Sequence, residues 1–372
     1  MPTQLFLTYL SIMELIVERL KDTDNWDEEL EYFGGGLFMT STWLSVISNI
    51  NREPVYFRFI ENNKPVAVIG GIEFYIKKKE AKQLLFYSKI AAKNKDPEFI
   101  RRCKIALYQY ARKNGSQRIS IRSYDNHSYV DARVKQFKER KCFEYAFHFE
   151  NNKEELIKGF DRDLRRRARK TKREGVVLKN SYSPELTDSL LRLIDETYNV
   201  RQSKGYGAYN YLYLPFISRN EIERLVKKRY GSFYFAEKES KILSIQLIVS
   251  SKKKAYSILM GTSNEGYRAG APSFLFYELA LLFKDQGYSY LNLGGVSHDI
   301  KHLGLKKFKD SLGADVIASA DEVTNFLSPP LIFINPILDL ARFIRNSKYF
   351  PEILIEPANY AYNLIMKGRN KY

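Results

Sequence analysis

The 372-residue sequence predicts a mixed α/β fold in which one structural unit is present twice. Three observations predict it. A strand–turn–strand–turn–strand pattern occurs at two places. Each pattern is followed by an amphipathic segment that ends in glycine and leads into a short apolar strand. The spacing between matching positions drifts by only a few residues along the whole unit.

The first unit opens with Met13–Arg19, an apolar stretch flanked by charge that reads as a strand. Tyr56–Phe59, a polar turn at Glu61–Lys64, Pro65–Tyr75, the triplet Lys77–Lys79 and Gln83–Ser88 then form an antiparallel meander. The second unit repeats this with Phe233–Ala236, Lys238–Lys241, Ile242–Ser250, Lys252–Lys254 and Ala255–Met260. The offset is 177 at the first turn lysine and 175 at the first lysine of the triplet. Phe99–Lys113 and Ser273–Lys284 carry apolar residues at helical spacing and end at Gly115 and Gly287, at an offset of 172. The strands Ile119–Ile121 and Tyr290–Leu293 follow. Phe137-Lys138-Glu139-Arg140 matches Phe308-Lys309-Asp310-Ser311 at an offset of 171. The order of matches points to duplication, with a first domain over 1–150, a second over 151–325, and a tail over 326–372 that the prolines break into short helices.

Composition limits the function. Apolar residues make up 44% of the chain, enough for full cores, and the net charge is +17. That excess suits an anionic partner: nucleic acid, a nucleotide, a phosphorylated substrate or an acidic membrane surface. Cys103 and Cys142 cannot build a disulfide framework or a zinc finger. His298 and His302 stand four apart without cysteine or a motif glutamate, so no metal site is expected. No run of about 18 uninterrupted apolar residues occurs, and the reading is a soluble, cytoplasmic protein. Gly-x-Ser-x-Gly and P-loop motifs are absent.

The most distinctive segment is basic. Eight of the twelve residues Arg162–Arg173 are Lys or Arg. On a helix, Arg162, Arg166, Arg169 and Arg173 share a face. Like charges at these spacings repel by a few tenths of a kcal/mol per pair, and a polyanion would relieve that repulsion through guanidinium–phosphate forks. The alternative is a solvated face countered by Asp161, Asp163 and Glu174. Gly294 and Gly295 allow a bulge or a close backbone approach to a ligand, or form a plain turn. Arg201, Lys204 and Tyr206 belong to a basic, aromatic loop that either covers an acceptor or is simply exposed. Trp43 reads as a core residue. Asp299 and Glu278 are general-base candidates by position only.

Together these segments resemble a tandem pair of GNAT-type acyltransferase folds, and more narrowly the Fem (FemAB-like) family of peptidoglycan-bridge aminoacyltransferases. The resemblance rests on Phe38–Leu44, on the basic segment Phe160–Val177, and on a closing signature of Leu291-Asn292-Leu293-Gly294-Gly295, then Gly304–Lys309 and Gly313. It covers about residues 13–325. It implies two GNAT-like domains, each a twisted, mainly antiparallel sheet with flanking helices. The implied reaction moves an acyl or aminoacyl group onto an amine of a cell-wall or cell-surface precursor. The donor would be aminoacyl-tRNA or, as in other relatives, acyl-CoA, with no tightly bound cofactor. Cys142 stands in the first copy where the second has Gly313, a divergence that suggests the second domain holds the donor and the first the acceptor, an anionic small molecule or a lipid-linked precursor.

The resemblance also places Lys309 with Phe308 at the donor's phosphate or sugar end, where the lysine would bind phosphate or steady the oxyanion; the alternative is a surface lysine beside Lys306 and Lys307. The sequence departs from the pattern in having no long coiled-coil insertion. It also lacks a pyrophosphate loop of the Gln/Arg-x-x-Gly-x-Gly/Ala type; the nearest segment, Gly266–Ala271, has different spacing. Two rivals stand beside this reading: an acyl-CoA-dependent N-acyltransferase of a sugar amine, and a non-enzymatic RNA-binding protein. DNA is not expected as a partner. The aromatic tail offers peripheral membrane contact as an alternative to packing on the body.

Overall fold

A computed structural model describes residues 15–76, 81–125, 130–150, 152–203, 214–297 and 303–346. The first half contains β1 (Ile16–Arg19), α1 (Trp26–Tyr32), α2 (Ser41–Ile47), β2 (Arg52–Glu61), β3 (Lys64–Ile76), β4 (Ala81–Phe86), β5 (Ala91–Ala92), α3 (Pro97–Lys113), β6 (Arg118–Ile121) and β7 (Phe137–His148). The second contains α4 (Lys153–Gly159), α5 (Arg162–Arg173), β8 (Val177–Ser181), α6 (Leu186–Ser203), α7 (Arg219–Lys227), β9 (Gly231–Lys238), β10 (Lys241–Ser251), β11 (Lys254–Thr262), α8 (Asn264–Ala269), α9 (Ala271–Asp285), β12 (Tyr290–Ser297), α10 (Leu303–Asp310) and β13 (Asp315–Thr324). Helix α11 (Asn335–Asn346) follows.

The strands form one sheet in the order β1-β2-β3-β4-β6-β13-β7-β12-β11-β10-β9-β8, with β5 added on β3. The order is palindromic. β1, β2, β3, β4 and β6 mirror β8, β9, β10, β11 and β12, and the mirror lies between β13 and β7. Each half contributes a meander and a parallel strand, β6 on β4 and β12 on β11. The last strand of each half sits in the other half: β13 pairs with β6, and β7 pairs with β12. β13 and β7 then pair with each other from Asp315↔Ala146 to Thr324↔Phe137.

The local sequence explains the meanders. Asn62 and Asn63 both take positive φ in the β2–β3 turn, the geometry that matches strand twist in a two-residue hairpin. Glu239-Ser240 and Lys252-Lys253 adopt the same left-handed pair without the usual residues. Thr40 caps α2, accepting from the Trp43 amide at 3.2 Å. Trp43 is fully buried between Phe38 and Tyr87, with ring centroids 4.8 and 5.6 Å away.

One match from the sequence does not survive. Phe137-Lys138 opens a strand, β7, whereas Phe308-Lys309 lies in helix α10. The topological counterpart of β7 is β13. A shared Phe-Lys pair carries no conformational information, and its offset agreed with the true repeat because it falls next to it.

Helix α7 locks the halves together. Arg52 of β2 donates to Glu221 at 2.9 Å, Arg224 donates to the same carboxylate at 2.9 Å, and Arg224 also reaches the Ser48 carbonyl at 3.0 Å. Tyr87 donates to the Pro215 carbonyl at 2.7 Å. Burial pushes the Glu221 carboxyl up, but the Ser218 hydroxyl and Arg52 outweigh it and hold it below its ordinary value. The stabilisation from this lowered value is present above pH 4.5 and is lost as pH falls through the folded value. Arg52→Ala is expected to cost about 3 kcal/mol, since it strips a buried carboxylate of one of its two cations. In thermal melts, the gap between the parent and Glu221→Gln should be full at neutral pH and close in acid.

Candidate active site

The two halves differ where their parallel strands separate. In the first, the β4–β6 ladder Gln83↔Arg118 to Phe86↔Ile121 is extended at both ends. The Gln117 amide donates to Lys82 at 2.7 Å, Arg122 to Phe86 at 2.7 Å, and Tyr124 to Tyr87 at 3.0 Å. In the second, the Ser289 amide likewise donates to Lys253, at 2.9 Å, but the ladder from Lys254↔Tyr290 stops at Tyr256↔Asn292. Beyond it β11 follows β10 and β12 follows β7, so the strands diverge into a crevice. Both crevice strands are irregular there. β11 has an extra residue, Ile258, between the pairs Leu247↔Leu259 and Ile248↔Ser257. β12 also gains one, since Leu293 and Gly294 together face the single residue Tyr145 between Asn292↔Ala146 and Gly295↔Glu144. Bulges free main-chain groups from the ladder and re-aim the strand. The β3–β4 ladder of the first half has no such shift.

Lys309 lies beneath this bulge, on α10. Its Nζ donates to the carbonyls of Leu293 at 2.8 Å, Gly294 at 2.7 Å and Gly295 at 3.3 Å. The side chain is buried, 5% exposed, and stands 5.6 Å from the centre of the Tyr145 ring. Burial pushes the ammonium down to about 7, against the pull of the Glu144 carboxylate. All three hydrogens of the ammonium have carbonyl partners, so the charged form is fully satisfied. Asp310 fixes α10 by accepting from the Tyr145 hydroxyl at 2.8 Å. Phe308 packs on Phe276, centroids 5.6 Å apart.

Gly313 explains the last position of the closing signature. It has φ +66°, and a Cβ there would collide with the Gly159 carbonyl oxygen. The adjoining Ser311 carbonyl accepts from the Asp161 amide at 3.0 Å. The signature loop is thereby packed on the entry to α5. Asp161 caps that helix. Leu164, Ala168 and Thr171 are its buried residues, and Arg162, Arg166, Arg169 and Arg173 are all exposed. Arg166 pairs with Asp163 at 3.1 Å.

The predicted site residues therefore fall into separate groups. Lys309, Gly294 and Gly295 meet at the bulge, while the arginines form an outward face on α5. Arg201 lies in the last turn of α6. Lys204, Tyr206, His298, Asp299 and His302 lie outside the described residues. Glu278 pairs with Lys172 at 3.0 Å. An open pocket of about 400 Å³ beside Tyr32, Lys93 and Arg102 shares no residue with the crevice.

Sequence reasoning missed a buried polar chain above the bulge. Asn292 donates to Glu144 at 3.2 Å and to the Tyr290 hydroxyl at 3.0 Å. The Tyr290 ring packs at a tilt of 59° on Tyr256, centroids 5.7 Å apart, and Tyr256 donates to Asp125 at 2.7 Å. Burial and then the Asp125 carboxylate raise the Tyr256 phenol far above its ordinary value. The available signal was polar residues inside strands: Asn292 between two leucines, and Glu144 in Phe143–Phe147.

Residues 158–309 match the family model of the acetyltransferase (GNAT) domain. This stretch is a GNAT acyltransferase domain. The solved structure described as FemX has a TM-score of 0.59 and 14% identity, over 82% of this chain and 96% of that one. The structure of L-PGS from Bacillus licheniformis has a TM-score of 0.50 and 17% identity, over 81% and 91%. At these identities the likeness is one of fold, and the fold is a Fem-like tandem GNAT arrangement. No curated protein sequence matches the chain. Among the described residues, no helix is long and apolar enough to cross a membrane.

Gly313→Ala is expected to cost about 3–4 kcal/mol, combining a strained φ with overpacking against backbone. Gly175→Ala, at φ +86° with nothing within 4 Å of its Cβ, should cost only about 1 kcal/mol. Denaturant titration of the two variants measures the difference.

Proposed function

We propose that the protein transfers an aminoacyl group from aminoacyl-tRNA to an amine of a cell-wall or cell-surface precursor, forming an amide bond. The observation that carries the choice of donor is the state of the α9 N-terminus. A GNAT domain that grips the pyrophosphate of acyl-CoA needs free amides there. Here α8 occupies the preceding loop, and Ala271, Ser273 and Phe274 are buried. Pro272 has no amide hydrogen. The Thr171 hydroxyl donates to the Ala269 carbonyl at 2.6 Å, pinning α5 across the same corner. The open cationic surface nearby is the guanidinium face of α5, which suits a long phosphate backbone better than one pyrophosphate.

In the reaction, the acceptor amine attacks the ester carbonyl. The carbon becomes tetrahedral, the terminal ribose oxygen leaves with a proton, and the nitrogen loses one. The crevice supplies position, which accounts for a large share of such barriers. Lys309 supplies a fixed positive field under the bulge, since its own hydrogens are given to carbonyls. The acceptor enters along the seam, from the half whose crevice is zipped. A lipid-linked acceptor fits the exposed face of Phe333, Ile337, Leu340 and Phe343 on and before α11, all more than half exposed.

Acyl-CoA is the second reading, carried by the match of 158–309 to an acetyltransferase domain. The deciding experiment offers alanyl-tRNA or acetyl-CoA with a nucleotide-linked muramyl pentapeptide as acceptor and follows transfer of the labelled acyl group. Transfer from alanyl-tRNA is the expected result. Transfer from acetyl-CoA alone replaces this reading with the second, and RNA binding without transfer removes the enzymatic one. Replacing Arg162, Arg166, Arg169 and Arg173 together by alanine should flatten the logarithmic salt dependence of tRNA binding by about 3, from about 0.7–0.9 per lost phosphate contact. Filter binding between low and physiological salt measures it.

A further inference from the structure

We propose that Asn292 is a positioning residue that, with Lys309, clamps the Leu293–Gly294 bulge from opposite sides and so holds the donor crevice open. The proposal rests on the acyl-transfer reading for its consequence, but not for its geometry.

The Asn292 side chain is buried, 4% exposed, and its hydrogen-bonding groups are engaged. Its Oδ1 accepts from the Gly294 amide at 2.7 Å. Its Nδ2 donates to Glu144 Oε2 and to the Tyr290 hydroxyl, which fixes the rotamer and the amide orientation. The Gly294 amide belongs to the peptide whose carbonyl, that of Leu293, accepts from Lys309. In a trans peptide the N–H and C=O point in opposite directions. One peptide plane is therefore held at both ends, by an ammonium on one side and a side-chain amide on the other. Gly294 takes φ +80°, a conformation only glycine adopts at little cost. The clamp begins at the residue where the β11–β12 ladder ends, at Tyr256↔Asn292.

The chain contains its own control. At the repeat offset of 172, Ser120 stands in place of Asn292 and Arg122 in place of Gly294. The Arg122 amide is spent on the Phe86 carbonyl, and the strands stay zipped. The Arg122 guanidinium donates to Asp321 at 2.8 Å. The half with asparagine and glycine diverges, and the half with serine and arginine does not. A serine hydroxyl is too short to replace both ends of the asparagine amide.

The test compares the full-length protein with Asn292→Ser, the residue used by the zipped half, and Asn292→Gln, which keeps the amide group on a longer stem. Hydrogen exchange of the Tyr290–Ser297 segment is followed by mass spectrometry without any substrate. Alanyl transfer from alanyl-tRNA to the muramyl pentapeptide is followed separately. For Asn292→Ser the expected results are exchange at Gly294 at least tenfold faster, kcat lowered at least tenfold, and KM for alanyl-tRNA within threefold of the parent. Asn292→Gln should recover part of the exchange protection. Unchanged exchange at Gly294 in Asn292→Ser overturns the clamp, whatever the transfer assay shows. Faster exchange with unchanged kcat overturns its role in catalysis. If the parent transfers nothing, the donor assignment fails while the exchange measurement still decides the clamp. If Asn292→Ser melts globally, the same exchange comparison on Lys309→Arg, which keeps the cation but not its compact geometry, decides instead.

Discussion

Neither half of this molecule can complete its own sheet. The strand that closes the first repeat is β13, and the strand that closes the second is β7, so the central ladder joins residues 169 to 187 positions apart. Such pairing pays its loop-closure entropy late in folding. The exchange also decides where chemistry can happen. β7 brings Glu144 and Tyr145 to the bulge of β12. α10 immediately precedes β13, so placing that strand at the centre of the sheet carries Lys309 under the same bulge. The site is built from both repeats even though its glycines and its lysine belong to one.

Duplication would by itself give two equivalent crevices, and among the described residues the strands part in the second half alone. The difference lies in a few main-chain hydrogen bonds. Where Arg122 and Tyr124 bond to β4, the backbone is satisfied by the sheet. Where β12 leaves β11, its carbonyls need other partners, and Lys309 provides three hydrogens for them. A buried ammonium is costly to desolvate, and its depressed ionisation reports that cost. Three carbonyls at one bulge offset it. The lysine and the crevice depend on each other: without the divergence the lysine has no acceptors, and without the lysine the diverged strand has orphan carbonyls.

Much of the fold was legible in the sequence because it is local. Alternating strands, paired turns and glycine-ended helices fix the meanders and α3 and α9 within a few residues of where they lie. The exposed arginine face followed from 3.6-residue periodicity alone. What could not be read was non-local. Strand exchange leaves no trace in the order of elements, since swapped and unswapped halves have the same sequence. That is why Phe137-Lys138 passed as a partner of Phe308-Lys309. Burial of Lys309 was equally hidden, because neighbouring Lys306 and Lys307 make the segment look exposed. Asn292 and Glu144 were the legible clues left unused. A polar residue in the middle of a central strand either has a partner or destabilises the sheet.

The basic helix and the bulge sit at different levels of the same second half, and their separation has a physical rationale. A cation used to recognise a long anion should stay hydrated and mobile until the anion arrives, because its attraction acts through solvent and sets the encounter rate. A cation that organises a reacting carbonyl should be fixed and dry, where its field is strongest. Under the proposed function, the exposed guanidinium row on α5 and the buried ammonium on α10 would answer these two requirements. Gly313, packed against Gly159 just before α5, brings the segment after α10 to the entry of the basic helix.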